Sequence, residues 1–131
     1  MSNKELYTLG IEEEFQIIHP ETRELQSHVQ QMIEGGKGTI SELLKPELHQ
    51  SVVEIGTKVC KDIKEARSEL LNIRRQLAEI AKDNGMSIAA AGTHPFSHWK
   101  DQKITDDPRY HTIVSNMQMI AREIRDALSL Y

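Results

Sequence analysis

Glutamates set inside a strand-like stretch constrain this chain more than any other feature. In Leu9-Gly10-Ile11-Glu12-Glu13-Glu14-Phe15-Gln16-Ile17-Ile18, period-two alternation puts Ile11, Phe15 and Ile17 on one face and Gly10, Glu12, Glu14 and Gln16 on the other. A strand rises about 3.3 Å per residue, so the Cα atoms of Glu12 and Glu14 stand about 6.6 Å apart. Two carboxylates pointing the same way at that spacing repel unless positive charge lies between them. Oxygen donors without His or Cys nearby suit Mg²⁺ or Mn²⁺, ions that in turn bind substrate phosphates. The competing reading is a solvated acidic face. Glu13 falls on the opposite side from Glu12 and Glu14 and is expected to act structurally.

A second strand is expected over Pro46-Glu47-Leu48-His49-Gln50-Ser51-Val52-Val53-Glu54-Ile55, with Gln50, Val52 and Glu54 on one face. Glu54 sits among β-branched residues, where an unpaired charge is costly to bury. A cation shared with Glu12 and Glu14 would relieve that cost, and so would an Arg partner. Glu47 is an odd number of residues from Glu54. It joins the same site only if it precedes the strand or a bulge intervenes.

Elsewhere strand and helix signals alternate. His19-Pro20-Glu21-Thr22-Arg23 reads as a turn, and residues 30–34 as a short helix stopped by Gly35-Gly36. From Cys60 to about Asn84, the positions Ile63, Ala66, Leu70, Ile73, Leu77, Ile80 and Ala81 follow the spacing of a long amphipathic helix. Gly85 is its stop. Met86 to Ala91 reads as a buried strand. A second long helix starts near Pro108 or Tyr110, with Ile113, Met117, Ile120, Ile124 and Leu128 on its apolar face; Met119 also fits helical packing. The fold class is α+β: three or four strands layered with two long amphipathic helices.

The chain's 131 residues suit one domain with a core of its own. With 16 basic and 20 acidic side chains, a formal charge of −4 gives no footprint for nucleic acid. No apolar run is long enough for a membrane span. The polar start Met1-Ser2-Asn3-Lys4 is not a signal peptide, and the single Cys60 cannot form an internal disulfide, so a cytoplasmic location is expected. Glu34-Gly35-Gly36-Lys37-Gly38-Thr39 lacks phosphate-loop spacing and reads as a loop. Cys60, at the start of its helix with no base beside it, reads as a structural thiol.

Gly92-Thr93-His94-Pro95 follows a strand end, where loops commonly carry binding groups. Thr93 offers a hydroxyl and His94 a donor or acceptor; an ordinary turn with a locally bonded His94 is the alternative. Arg109 can grip a carboxylate bidentately beside the Tyr110 ring. Equally, Asp106-Asp107-Pro108-Arg109 can be no more than a helix start.

Four stretches together resemble the glutamate–cysteine ligase type 2, or carboxylate–amine ligase, family. They are Gly10-Ile11-Glu12-Glu13-Glu14-Phe15, Glu47-Leu48-His49-Gln50-Ser51-Val52-Val53-Glu54-Ile55, Ala89-Ala90-Ala91-Gly92-Thr93-His94-Pro95-Phe96, and Asp107-Pro108-Arg109-Tyr110. The resemblance implies a glutamine-synthetase-like catalytic domain, its antiparallel sheet packed with the two long amphipathic helices, of which residues 1–131 are the N-terminal portion, inactive alone. It implies an ATP-dependent reaction through an acyl phosphate, with L-glutamate and an amine such as L-cysteine as substrates. In that reading Glu12, Glu14 and Glu54 hold Mg²⁺ (Mn²⁺ as the alternative), joined by Glu47, while Thr93 and His94 border the amino-acid pocket. Two other readings stay open. One is a cation- or nucleotide-binding module without catalysis. The other is an interaction domain whose helices pack on a partner or a second copy of the chain.

Overall fold

The computed structural model describes residues 7–36 and 40–116. Its centre is a four-stranded antiparallel sheet in the order β2-β3-β1-β4. These strands are β1 (Glu12–Ile18), β2 (Leu44–Pro46), β3 (Val52–Gly56) and β4 (Ser87–Ala89). Among the described residues, three α-helices accompany them: α1 (Val29–Gly35), α2 (Ile63–Asp83) and α3 (Pro108–Asn116). The α+β class and the antiparallel sheet are as the sequence implied. Of the second long helix, Pro108–Asn116 is seen; Met117, Met119, Ile120, Ile124 and Leu128 lie outside the described residues, as do Met1–Lys4 and Lys37–Thr39.

The alternation in β1 works as a divider. Phe15 and Ile17 enter the core with Val53 and Ile55 of β3, against Ile73, Leu77, Ile80 and Ala81 of α2 and Val29 and Met32 of α1. Apolar area removed from water on that one face holds the layers together. Glu12, Glu14 and Gln16 are left on the other face with Val52 and Glu54.

Helix α2 begins at Ile63, three residues later than the expected start at Cys60. Asp62 caps it, accepting the Glu65 N–H at 2.9 Å, while the Glu65 carboxylate reaches back to the Lys61 N–H at 2.7 Å. This reciprocal arrangement satisfies backbone donors that have no partner inside the helix. Cys60 therefore lies outside the helix, in an antiparallel bridge to Leu9, fully buried with its thiol donating to the Lys58 carbonyl. Ile63, expected on the packed face, is exposed at the first turn. At the far end Gly85 takes φ +71°, the left-handed geometry that a side chain disfavours.

The expected strand over residues 46–55 is two strands and a loop. Pro46, which has no N–H, ends β2. The backbone of residues 47–50 then pairs elsewhere: Thr105 N–H donates to the Leu48 carbonyl and Gln50 N–H to the Lys103 carbonyl, both at 2.8 Å. Pairing resumes at Val52. Likewise β4 is shorter than residues 86–91 and only half-buried.

Candidate functional site

Register makes the site. Glu14 of β1 lies directly opposite Glu54 of β3, and Lys45 of β2 lies opposite Glu54 on its other side. Across three strands the row reads Lys45–Glu54–Glu14. Like charges directly opposite one another destabilise a sheet unless something offsets them. Part of the offset is Lys45, whose Nζ stands 3.0 Å from Glu54 Oε1 and 3.3 Å from Glu12 Oε1. Those hydrogen bonds, Glu54 first and Glu12 second, push the Lys45 ammonium above its usual range.

Glu47 completes a cluster. It sits in the loop before β3, and one carboxylate oxygen each from Glu14, Glu47 and Glu54 lie within 4.8 Å of one another. The placement meets the condition under which an odd sequence separation still permits a shared site. Loss of hydration in the cleft pushes the Glu14 carboxyl above its ordinary value, and Glu47, Glu54 and Glu12 push it the same way in that order. An all-carboxylate triad with crowded negative charge is a donor set for a hard divalent cation. Glu12 is outside this triad; it is exposed and tied to Lys45.

Glu14 and Glu54 open into a cleft of about 480 Å³ whose lining includes Glu12, Gln16, Val52 and the loop residues Ala90, Ala91 and Gly92. Strand β4 places that loop, because Ala89 pairs with Gln16 of β1. Thr93 follows, exposed. His94 is engaged elsewhere: its Nε2–H donates to the Arg23 carbonyl at 2.8 Å, and its Nδ1 accepts the Ser97 N–H at 2.9 Å. Nε2 thus staples the residue 92–97 loop to the turn at Arg23, which itself takes φ 64°, while Nδ1 braces the loop from within.

Arg109 and Tyr110 start α3, where Asp107 caps the helix by accepting the Arg109 N–H at 2.7 Å. The Arg109 guanidinium lies 4.5 Å above the Tyr110 ring and donates to its hydroxyl at 2.6 Å. Tyr110 is buried, and its hydroxyl donates to the Pro46 carbonyl at 3.4 Å. Burial pushes the phenol pKa up, and the neighbouring Glu47 carboxylate adds to that. The pair thus borders the triad at its Glu47 corner.

Glu13 points to the helical side, as its parity requires, and forms a two-pronged ion pair with Arg74 of α2: Nε donates to Oε2 at 2.8 Å and Nη2 to Oε1. Two participants, Lys45 and Thr105, are not picked out by the sequence patterns. Lys45 was in principle findable, since a hairpin closing on residues 47–51 sets it against Glu54. Thr105 carried no local signal.

Comparison with known proteins places nearly the whole sequence in a family. Residues 8–129 match the family described as Glutamate-cysteine ligase family 2. The chain is 58% identical over 120 residues to a protein of Sorangium cellulosum named "Putative glutamate--cysteine ligase 2", covering 88% of this chain and 32% of that protein. A protein of the same name from Chloroflexus aurantiacus is 51% identical over 118 residues, covering 90% of this chain and 30% of its own length. Another from Solibacter usitatus is 49% identical over 116 residues, covering 88% and 30%. The chain therefore spans about a third of the length of the curated relatives it matches. With nearly all of its residues inside the match, the chain belongs to the glutamate–cysteine ligase family 2.

Proposed function

We propose that this chain supplies the acidic wall of an ATP-dependent carboxylate–amine ligase, as the N-terminal portion of a glutamine-synthetase-like catalytic domain. The reaction joins the γ-carboxylate of L-glutamate to an amine, L-cysteine being the first choice. A γ-carboxylate oxygen attacks the terminal phosphorus of ATP and ADP leaves. The amine nitrogen then attacks the acyl carbon, the C–O bond to phosphate breaks, and the nitrogen loses a proton. Bound Mg²⁺ or Mn²⁺ would neutralise the phosphate oxygens during the transfer.

Within that scheme the residues have separate tasks. Glu14, Glu47 and Glu54 hold the cation, and Glu12 is held at the rim by Lys45. Gly92 lets a ligand approach the loop backbone closely, with Thr93 beside it offering a hydroxyl to the amino acid. His94 serves the loop's shape. Arg109 and Tyr110 border the Glu47 corner, where a guanidinium can receive a carboxylate. The observation that carries this reading is the convergence of three carboxylates from β1, β3 and the loop between β2 and β3.

Thermal melting of the purified chain in EDTA, in Mg²⁺, and in Mg²⁺ with ATP tests it. A ligand bound only by the native state raises stability once its concentration exceeds its dissociation constant. A rise that disappears in E14Q and E54Q is expected. Equal melting in all three buffers counts against a cation site built by this chain alone. In a full-length ligase carrying the same residues, E14Q or E54Q should stop ADP release without unfolding the protein. Unchanged turnover in both variants would remove these carboxylates from the reaction.

A further inference from the structure

Glu14 and Glu54 ride on strands, but the third carboxylate of the triad comes from a loop. A loop-borne ligand needs something to hold its backbone, and here the holder is a segment more than fifty residues away. The Thr105 hydroxyl donates to the Glu47 carbonyl. The Thr105 N–H donates to the Leu48 carbonyl at 2.8 Å, and His49 and Ile104 form an antiparallel bridge. Gln50 closes the splice, its N–H donating to the Lys103 carbonyl at 2.8 Å and its Nε2 to the Ile104 carbonyl at 3.0 Å. Within the loop, the Leu48 N–H donates to the Glu47 carboxylate itself. The carboxylate's direction is therefore set by the peptide units on either side of Leu48, and Thr105 grips both.

We propose that Thr105 is a positioning residue for Glu47: its hydroxyl fixes the peptide that turns this carboxylate toward Glu14 and Glu54, and so sets the site's affinity for a divalent cation. The proposal rests on the cation reading given above. The backbone part of the splice does not depend on side-chain identity, whereas the hydroxyl contact does. Valine keeps the β-branched shape and removes the donor, and leaves the Glu47 carbonyl short of a partner. Serine keeps the donor and loses only a methyl.

The test is Mn²⁺ binding to the purified chain, followed by the electron paramagnetic resonance signal of the free ion, which requires no turnover. T105V should weaken binding by about fivefold to tenfold, the range for losing one neutral hydrogen bond, and T105S should stay within about twofold of the wild type. In an E47Q background T105V should have no further effect, because two changes acting through one group do not add. Should T105V fail to melt cooperatively in EDTA, T105A removes the same hydroxyl and is expected to weaken Mn²⁺ binding in the same way. Wild-type affinity in the valine or alanine variant overturns the proposal, and so does an undiminished loss in the E47Q background. Wild-type affinity in E47Q would instead remove Glu47 from the site, and the proposal would fall with it. Absence of Mn²⁺ binding by the wild-type chain would overturn a cation site built by this chain, and the proposal with it, while the ligase reading is tested separately by E14Q and E54Q in the full-length enzyme.

Discussion

The Lys45 ammonium lies 3.0 Å from Glu54 Oε1, on the strand position directly opposite it, so a tethered cation already serves the carboxylate that belongs to the triad. Its second contact, at 3.3 Å, is to Glu12, which lies outside the triad. Lys45 and a divalent ion therefore draw on the same negative charge. Replacing Lys45 by Met should lower the melting temperature in EDTA by a few degrees, as expected for a solvent-accessible ion pair. The same variant should bind Mn²⁺ more tightly, since a competing positive charge is gone. Comparing the two melts with and without Mn²⁺ checks both signs. A Lys45→Met chain that binds Mn²⁺ more weakly would mean that the lysine helps to build the site.

Glu13 faces the other way, and its removal should cost stability without touching the cation site. The two-pronged pair with Arg74 ties β1 to α2 across the edge of the core, half in solvent. E13Q should cost about 1 kcal/mol, the upper end for a well-oriented ion pair near the surface. Urea denaturation reads that loss, and Mn²⁺ affinity should stay unchanged. A change in affinity comparable with that of E14Q would show that the two faces of β1 are not independent.

What could be read from the sequence was what repeats locally. The period of α2, its glycine stop at Gly85, the short helix ended by Gly35-Gly36 and the sidedness of Glu13 all follow from spacing within one element. The carboxylates of the site were also legible as residues, because glutamates among β-branched neighbours are conspicuous. Their arrangement was not. Which glutamate faces which depends on register, and register depends on where the loop between β2 and β3 turns. That loop is shaped by residues 103–105, whose pairing with residues 48–50 leaves no mark in the local pattern. The same distance effect hid Lys45, because β2 is three residues long and ends in a proline.

His94 gives a prediction about architecture rather than chemistry. Its Nε2–H and Nδ1 are both used by backbone groups, on the Arg23 turn and at Ser97. H94A should lose about 1–2 kcal/mol of stability, the range for two neutral hydrogen bonds, and should speed amide exchange at Ser97, whose N–H then lacks its acceptor. An unprotected Ser97 amide in the wild type would contradict the staple. In a full-length ligase the same change should raise the KM for the amino acid more than it lowers kcat, if the residue 92–97 loop borders that pocket. A fall confined to kcat would place His94 among the reacting groups instead.

Glu14 sets the pH behaviour of the metal-free chain. Loss of hydration and the surrounding glutamates hold its folded-state carboxyl above the ordinary value of 4.5. The folded chain therefore keeps a proton that the unfolded chain has released, and stability falls as pH rises between those two values. Below 4.5 the contribution of Glu14 is flat, and above the folded-state value the penalty is complete. In EDTA, the stability of the wild type relative to E14Q should thus improve as pH is lowered from 7 toward 5. Glutamine carries no titrating proton, so subtracting the two curves removes what the other carboxylates and histidines share. Bound Mg²⁺ should reverse the trend, because a cation held by Glu14 must displace that proton, and binding then weakens as pH falls. Urea midpoints for both chains across this range, with EDTA and with Mg²⁺, give the four curves needed. A wild-type advantage over E14Q that grows with rising pH in EDTA would show that the Glu14 carboxylate is already compensated within the chain, by Lys45 or another group, and that the triad has no unmet negative charge to offer a cation.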